Sequence, residues 1–199
     1  MKQALIVAHP RIRSFTMAMA EAYAEAARHE GAEVVLRDLY RLGFDPLLHM
    51  EELPDHEGFQ PRADVMDERS VIGDADVFVF FYPLWFNAPP AMLKGYVDRV
   101  FGMGFGYSRF GLEGNRPLLS DRRLVSFTSS GAPQDWVESS GAWEAMRKHF
   151  DDHLAAVTGL NLIGRHNIGG VTPGLREDVV EGHARDIAEI AKRIAHGGR

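Results

Sequence analysis

The chain has 199 residues, of which 45% are apolar and 25% are charged, and these proportions exclude collagen-like, disordered and coiled-coil proteins. It contains no cysteine, which excludes a cysteine nucleophile, a thiolate metal site, an iron–sulfur cluster and a disulfide framework. The net charge of −6, without a basic stripe, argues against a nucleic-acid partner. No apolar run approaches the roughly 20 residues of a membrane-spanning helix. We therefore expect a cytoplasmic protein, not inserted in a membrane, that forms one domain over residues 1–199.

Predicted strands and helices alternate in the first part of the chain. Residues 4–8 form a continuous apolar run, which is typical of a strand buried on both faces of a parallel sheet. Apolar residues then recur at helical spacing from Ser14 to Gly31, where the glycine ends the predicted helix. Residues 33–40 indicate a second strand, and residues 41–62, with three prolines, indicate a long connection.

The second half of the chain repeats this alternation. The most strand-like run, residues 76–82, is expected at the centre of the sheet. The other predicted elements are helices at 64–72, 89–101, 143–157 and 179–194, a glycine-rich loop at 102–117, and strands at 124–128 and 160–168. Five strands alternating with five helices predict a doubly wound α/β fold, in which a parallel sheet is covered by helices on both faces.

Three segments are candidates for a ligand site. In an open α/β sheet, ligands bind beyond the carboxyl ends of the strands, at the point where the strand order reverses. Residues 9–16, 83–90 and 128–131 each follow a predicted strand in this way. We therefore expect the functional residues to lie in these three segments.

The first segment, HPRIRSFT, has neither the glycines of a dinucleotide-binding turn nor those of a Walker loop. It can still favour a phosphate, because Ser14 and Thr16 place hydroxyls and backbone N–H groups at a helix N-terminus, with Arg11 and Arg13 nearby. The alternative is that Ser14 only caps the helix and that the arginines are ordinary surface residues.

The other two segments offer different chemistry. Trp85, Phe86 and Asn87 follow a buried strand, where the aromatic rings can stack on a flat ligand and the amide can bind its polar edge. The alternative is that both rings close the end of the core. Residues 128–131, with the sequence TSSG, have backbone N–H groups that could face a negative charge, or they form a polar turn.

Hydrolase and metal chemistry are not indicated. No serine stands in a GxSxG motif, so a nucleophile elbow is not predicted. His149 and His153 are four residues apart but lack an HExxH motif or supporting acidic residues, so we interpret them as the surface of a helix. We predict no metal site.

Taken together, the motifs resemble a known family. LIVAHPxxxSFTxAM, FYPLWFNAPPAMLKGYVDRVFGMGFGY and LVSFTSSG, in this order, are similar to segments of the flavodoxin-like NAD(P)H:quinone oxidoreductases, the DT-diaphorase family with its short bacterial members. The likeness extends over most of residues 2–195. It implies a five-stranded sheet in the order 2-1-3-4-5, a homodimer, and a flavin site at the dimer edge.

The resemblance also implies roles for individual residues. Those expected on the phosphate side of the flavin are His9, Ser14, Phe15 and Thr16. Those expected along the isoalloxazine ring are Pro83, Leu84, Trp85, Phe86 and Asn87. Those expected near its pyrimidine end are Thr128, Ser129, Ser130 and Gly131. Those expected to contact the substrate are Phe105, Tyr107 and Trp136, with Phe110 in the same aromatic loop.

One departure from the family concerns proton transfer. A Tyr and a His follow the corresponding turn in DT-diaphorase, whereas this chain has Trp136 and Ala142 near those positions, so no catalytic side chain is assigned. Hydride transfer at flavin N5 can proceed by positioning alone.

The implied activity is two-electron, ping-pong transfer from NAD(P)H through FMN or FAD to a quinone-like acceptor. The choice of flavin and of nicotinamide stays open. The alternatives are a flavodoxin-type electron carrier and an ancillary subunit of a potassium-efflux system.

Overall fold

A computed structural model describes residues 1–108, 114 and 116–197. Five parallel strands form one sheet in the order β2-β1-β3-β4-β5, which confirms the predicted order and the central place of β3. The strands are β1 (Lys2–Val7), β2 (Glu33–Asp38), β3 (Val77–Pro83), β4 (Arg123–Ser129) and β5 (Asn161–Ile168).

Helices connect the strands and cover both faces of the sheet. The helices are α1 (Phe15–His29), α2 (Ala63–Ile72), α3 (Ala91–Val100), α4 (Gln134–Ser139), α5 (Ala142–Arg147), α6 (His153–Thr158) and α7 (Glu177–Ala195). After α1, Gly31 has a φ of +80°, a conformation that glycine adopts without strain, so the chain can turn there into β2. None of the described helices is both long and apolar enough to cross a bilayer.

The core has two halves because β3 contributes alternate side chains to the two faces of the sheet. Val77, Val79 and Phe81 pack with apolar residues of α1 and α7. Phe78 and Phe80, on the other face, pack with residues of α2, α3, α5 and α6. All five are essentially buried, which explains why the sequence of β3 is a continuous apolar run rather than an alternating one.

The long connection after β2 is fastened by a buried group of charges, here called the Arg99 cluster (Arg99, Glu52 and Asp64). The Arg99 side chain is fully buried and pairs with Glu52 at 2.8 Å and with Asp64 at 2.7 Å. These two carboxylates hold the pKa of Arg99 above its usual value even though burial opposes this. A Cβ at Gly95 would lie 2.1 Å from the Pro46 carbonyl oxygen, so α3 approaches the connection closely.

The region after β4 differs from the sequence prediction. The predicted helix over 143–157 is present as one helical run, which consists of α5, a π-helical turn over Lys148–Asp152, and α6, and the short helix α4 precedes it. The Asp151 carboxylate lies in this π turn and is buried, where it accepts hydrogen bonds from the Ser126 hydroxyl at 2.7 Å and from Arg165 Nε at 3.1 Å. Burial raises the pKa of Asp151. π turns are rare within helices, and helical periodicity in the sequence does not reveal them.

Candidate functional site

The three predicted segments meet at the carboxyl edge of the sheet. The Leu84 N–H donates to the Ser129 carbonyl oxygen at 2.7 Å. The imidazole ring of His9 lies 5.9 Å from the indole ring of Trp85, centroid to centroid. The ends of β1, β3 and β4 therefore form one surface at the position where a doubly wound sheet binds its ligand.

The first segment leads from β1 into α1. Ser14 is the N-cap of α1, and its hydroxyl oxygen accepts a hydrogen bond from the Met17 N–H at 3.1 Å, which confirms the capping interpretation. Phe15 is half-buried and Thr16 is buried in the first turn. The first N–H groups and the dipole of a helix also attract anions, so phosphate binding by this segment stays a prediction.

The turn after β1 is held by a residue that the sequence analysis missed. Arg41 Nη2 donates to the carbonyl oxygens of His9 at 3.0 Å and Pro10 at 2.7 Å. His9 Nδ1 accepts a hydrogen bond from the Arg11 N–H at 3.0 Å. Burial, and then the nearby charges of Arg11 and Arg41, lower the pKa of the His9 imidazole, which is consistent with a ring nitrogen that accepts.

A cleft of about 770 Å³, here called the α1 cleft, opens beside the N-terminus of α1. Its walls are His9, residues 11–15, Met17, Ala18 and residues 171–175, and it extends to Glu21 and Val180. Arg11 and Arg13 are exposed at this cleft. Neither guanidinium forms an ion pair or hydrogen bond within the part of the chain that the structure describes.

The second segment forms a tight turn with a strained backbone. The N–H of Trp85 donates to the Ala88 carbonyl oxygen at 3.0 Å, and the Ala88 N–H donates back to Trp85 at 3.1 Å. Phe86 and Asn87 between them have φ angles of +50° and +56°, the signature of a type I′ turn. Asparagine tolerates this conformation, whereas for phenylalanine it is unfavourable by about 1–2 kcal/mol.

The same turn displays aromatic rings to solvent. Phe86 is fully exposed and Trp85 is 42% exposed, so the alternative in which both rings close the end of the core is wrong. Pro83 and Leu84 are buried, and Pro83 belongs to β3 rather than to the following loop. A strained backbone that presents an unburied ring is typical of a binding site.

The third segment is more buried than predicted. Thr128 and Ser129 lie within β4, and Ser130 follows it, with 3%, 7% and 7% of their surfaces exposed. The Ser130 N–H donates to the Ile168 carbonyl oxygen at 2.9 Å, so this N–H is used within the sheet, and a flavin contact by Ser130 stays a prediction. Gly131 is exposed and is the member of this segment that can approach a ligand with its backbone.

The predicted substrate contacts belong to other parts of the fold. Phe105 packs edge-to-face against the core ring of Phe101, with centroids 5.6 Å apart. Tyr107 lines a separate cleft of about 230 Å³ between α3 and α6. Trp136 lies in α4 and is 57% exposed. Phe110 lies outside the described residues, and the substrate-binding roles stay predictions.

The paired histidines line the same 230 Å³ cleft as Tyr107. His149 lies in the π turn and His153 begins α6, and both are exposed, as predicted for a surface helix. In the described ranges, no three His, Asp or Glu side chains are grouped so that they could hold a metal ion.

Two polar residues at the edge had no sequence signal. Arg41 acts on a turn more than 30 residues earlier, and Asn167, in β5, accepts a hydrogen bond from the Thr128 hydroxyl at 2.9 Å. Arg41 joins the segments that follow the neighbouring strands β2 and β1, and Asn167 joins β5 to the neighbouring β4. They could be expected only from a known strand order.

The sequence matches a protein-family model described as a flavodoxin-like fold over residues 1–193. A Haemophilus influenzae protein described as an uncharacterized NAD(P)H oxidoreductase is 36% identical over 143 residues, which cover 71% of this chain and 70% of that protein. NAD(P)H dehydrogenase (quinone) 1 of Cavia porcellus is 33% identical over 145 residues. These cover 64% of this chain and 53% of that protein, so the match spans about half of that relative.

A solved structure shows the same likeness in three dimensions. The NAD(P)H:quinone oxidoreductase from Methanothermobacter marburgensis superimposes with a TM-score of 0.84 at 28% identity, over 98% of this chain and 96% of that one. The family predicted from the three motifs is thus confirmed by sequence and by structure. The chain belongs to the flavodoxin-like family of NAD(P)H:quinone oxidoreductases.

Proposed function

We propose that the protein is a cytoplasmic, flavin-dependent NAD(P)H dehydrogenase that reduces a quinone or a similar flat acceptor by two electrons. One observation carries this proposal. An anion-attracting helix N-terminus and an exposed aromatic turn meet at one edge of the sheet, where His9 contacts Trp85. A flavin nucleotide combines a phosphate with a flat ring. When bound, it supplies a ring that takes a hydride from NAD(P)H and delivers two electrons to the acceptor.

The phosphate end fits the first segment. The Ser14 hydroxyl accepts from Met17, which leaves its own proton free to donate to a phosphate oxygen. The N–H groups of Phe15 and Thr16 lie in the first turn of α1, where the helix itself leaves donors unpaired. Arg11 and Arg13 add positive charge at the mouth of the α1 cleft.

The ring end fits the second and third segments. Trp85 and Phe86 offer exposed aromatic surface, and Gly131 offers backbone that a flat ring can approach without a side chain in the way. One N–H of the Asn87 amide is used within the protein, because its Nδ2 donates to the Ala142 carbonyl oxygen at 2.8 Å. Asn87 therefore fixes the turn against α5 and contributes to the site by positioning.

We propose FAD rather than FMN as the resident flavin. The α1 cleft continues past Ser14 to Glu21, Leu175 and Val180, so it has room for a nucleotide beyond the first phosphate. Its two uncommitted arginines are well placed for a diphosphate. FMN would leave most of this cleft to solvent.

The side chains of this protein orient the flat reactants and do not transfer protons to them. In the stretch after β4, the positions of the family's Tyr and His hold Trp136 and Ala142, neither of which transfers protons. Trp136 and Phe86 can instead exclude water and align flat partners, which accounts for hydride transfer by positioning. One slot shared by the nicotinamide and the acceptor in turn predicts ping-pong kinetics.

We also propose that the enzyme is a homodimer. The fully exposed Phe86 precedes Asn87, which lines a cleft of about 180 Å³, and this cleft shares His149 and Phe150 with the cleft of about 230 Å³. A second copy of the chain would bury this surface. Light scattering should give a mass near twice the 22.2 kDa of one chain, and a monomer would contradict this part of the proposal.

The decisive experiment identifies the cofactor and its reduction together. The purified protein should be yellow, and chromatography of the denatured material should release FAD. Anaerobic addition of NADH or NADPH without acceptor should bleach the flavin absorbance, and a quinone should restore it. A protein that stays colourless after incubation with FMN and FAD, or a bound flavin that neither nicotinamide bleaches, would overturn the proposed function.

A further inference from the structure

Asn167, near the end of β5, has a side-chain amide that forms hydrogen bonds with the end of β4 and with the segment after it. Its Oδ1 accepts from the Thr128 hydroxyl at 2.9 Å. Its Nδ2 donates to Gln134 Oε1 at 2.7 Å and to the Ser130 hydroxyl oxygen at 3.3 Å. The amide oxygen and nitrogen are therefore both used, and rotating the amide by half a turn would place Asn167 Oδ1 against Gln134 Oε1, two acceptors.

These bonds belong to a longer chain with one direction. Thr128 donates to Asn167, Asn167 donates to Gln134, and Gln134 Nε2 donates to the Glu138 carboxylate at 2.6 Å. Hydrogen bonds that run in one direction polarise and strengthen one another. This series of hydrogen bonds begins at the buried end of β4 and ends at Glu138 on the exposed face of α4, one helical turn from Gln134.

The backbone in this region is joined to the end of β5 as well. The Ser130 N–H donates to Ile168 and the Val171 N–H donates to Ser130, both at 2.9 Å. A Cβ at Gly169 would lie 2.3 Å from the Gln134 nitrogen, so the start of α4 rests directly on β5. The backbone bonds locate the turn, and the Asn167 amide decides how its polar side chains are oriented.

The place of this network distinguishes it from ordinary core packing. It surrounds residues 128–131, ends in the helix that carries Trp136, and lies beside the edge where the first and second segments meet. A half-buried strand position could be filled by an apolar residue at no loss of packing. A fully satisfied polar network instead specifies one arrangement of the groups it joins.

We propose that Asn167 is a positioning residue that holds the Ser130–Gly131 turn and α4 in their ligand-binding arrangement before the flavin arrives. This rests on the proposed function, since it assigns the ring of the flavin to this edge. A preformed turn does not have to be ordered during binding, which favours affinity. It also fixes the positions of the polar groups at this edge, which affects how easily a ring bound there is reduced.

The test compares N167A with N161A, a matched Asn-to-Ala change at the exposed first residue of the same strand. Flavin affinity is measured by fluorescence titration of the apoprotein with FAD and FMN, and the two-electron midpoint potential by dye equilibration. We expect N167A to bind flavin about tenfold more weakly, the equivalent of one or two hydrogen bonds. Its midpoint potential should shift, while N161A retains both wild-type values.

A second variant tests the electrostatic part. N167D keeps an oxygen that accepts from Thr128, loses both N–H donors and adds a negative charge beside the ring. We expect it to lower the midpoint potential below that of N167A, because a nearby negative charge disfavours electron uptake. A potential equal to that of the wild type would overturn the proposal.

A third variant interrupts this series of hydrogen bonds at Gln134, which is half-buried in the first turn of α4. Q134A should weaken flavin binding in the same direction as N167A, and the double variant should be worse than N167A by no more than about twofold, since the two residues act as one unit. Strictly additive effects, or equal affinities and potentials in N167A and N161A, would overturn the proposal. A wild-type protein that binds no flavin would contradict the proposed function. A wild-type protein that binds flavin, beside an N167A variant that binds it equally well, would contradict only the role of Asn167.

Discussion

Arginine side chains have opposite surroundings in two regions of the molecule. In the Arg99 cluster, a fully buried guanidinium is paired with Glu52 and Asp64 and donates to a backbone carbonyl oxygen as well. At the α1 cleft, Arg11 and Arg13 are exposed and, over the described ranges, have no ion-pair partner. The charge of Arg99 is compensated within the protein, whereas the charges of Arg11 and Arg13 are unpaired in the described ranges.

The difference indicates which region is structural and which is functional. A buried guanidinium must be compensated by the protein itself, because an unpaired buried charge is very unfavourable. Two exposed cations beside a helix N-terminus repel each other and the helix dipole, and they gain only when an anion binds. Four experiments can break or sharpen this comparison.

The largest effect on stability is expected from R99A. It leaves the Glu52 carboxylate buried without its partner, so the free energy of unfolding should fall by about 3–5 kcal/mol. Chemical denaturation measures this, with R62A as control because Arg62 and Glu51 form a half-exposed pair at 3.8 Å. The control should lose at most about 1 kcal/mol. Equal losses in the two variants would contradict the structural role of the Arg99 cluster.

The double variant R11A/R13A should have the opposite profile. Its unfolding should match the wild type within about 0.5 kcal/mol, while its affinity for FAD should fall at least about tenfold. Because the lost contacts are charge–phosphate contacts, binding of riboflavin should be unaffected, and the difference should shrink at high salt. R185A, which removes an arginine from an exposed pair with Glu181, is the matched control. A loss of riboflavin binding would refute the phosphate assignment.

A smaller effect is expected from the strained turn, where F86G and F86A should separate stability from binding. Both remove the exposed ring, and both should raise KM for the quinone several-fold. Glycine accepts the φ of +50° without strain, whereas alanine retains most of its cost of about 1 kcal/mol, so F86G should be the more stable of the two. Calorimetric melting temperatures measure the difference. An unchanged KM in both variants would show that the ring has no role in binding.

The smallest effect concerns pH. Burial, together with the charge of Arg193, lowers the pKa of His166, whose ring stacks on Phe127 with centroids 5.0 Å apart. As pH falls below about 6.5, the unfolded chain takes up this proton before the folded one, so stability should decrease toward acid pH. H166F keeps a stacked ring without the titrating group, and its melting temperature should fall less steeply. Identical slopes in the two proteins would contradict this assignment.

Much of the fold could be predicted because its signals are local. The apolar run of β3 predicted a central strand, and Ser14 and Gly31 predicted both ends of α1. The order of the strands came from the resemblance of three motifs to a family, and the structure confirms it. The π turn at Lys148–Asp152 was missed because its cause, the buried partners of Asp151, lies in β4 and β5.

The site was predicted in outline and corrected in detail. The three segments do meet, yet the Ser130 N–H is committed to β5 and Phe105 packs into the core. Arg41 and Asn167, which hold two of these segments, were not anticipated. Arg41 contacts His9 and Asn167 contacts Thr128, and each partner is more than 30 residues earlier in the sequence.

The sequence by itself determined the alternation of strands and helices, the capped start of α1 and the family of the chain, since each depends on residue types at short spacing. Only the tertiary structure decided that Phe86 is exposed to solvent with a left-handed backbone conformation. It also decided that Arg99 is buried in an ion pair and that Arg11 is exposed. The physical reason is that burial and charge compensation are properties of surroundings. Those surroundings are brought together by crossovers between strands, and no local pattern records which groups will face one another.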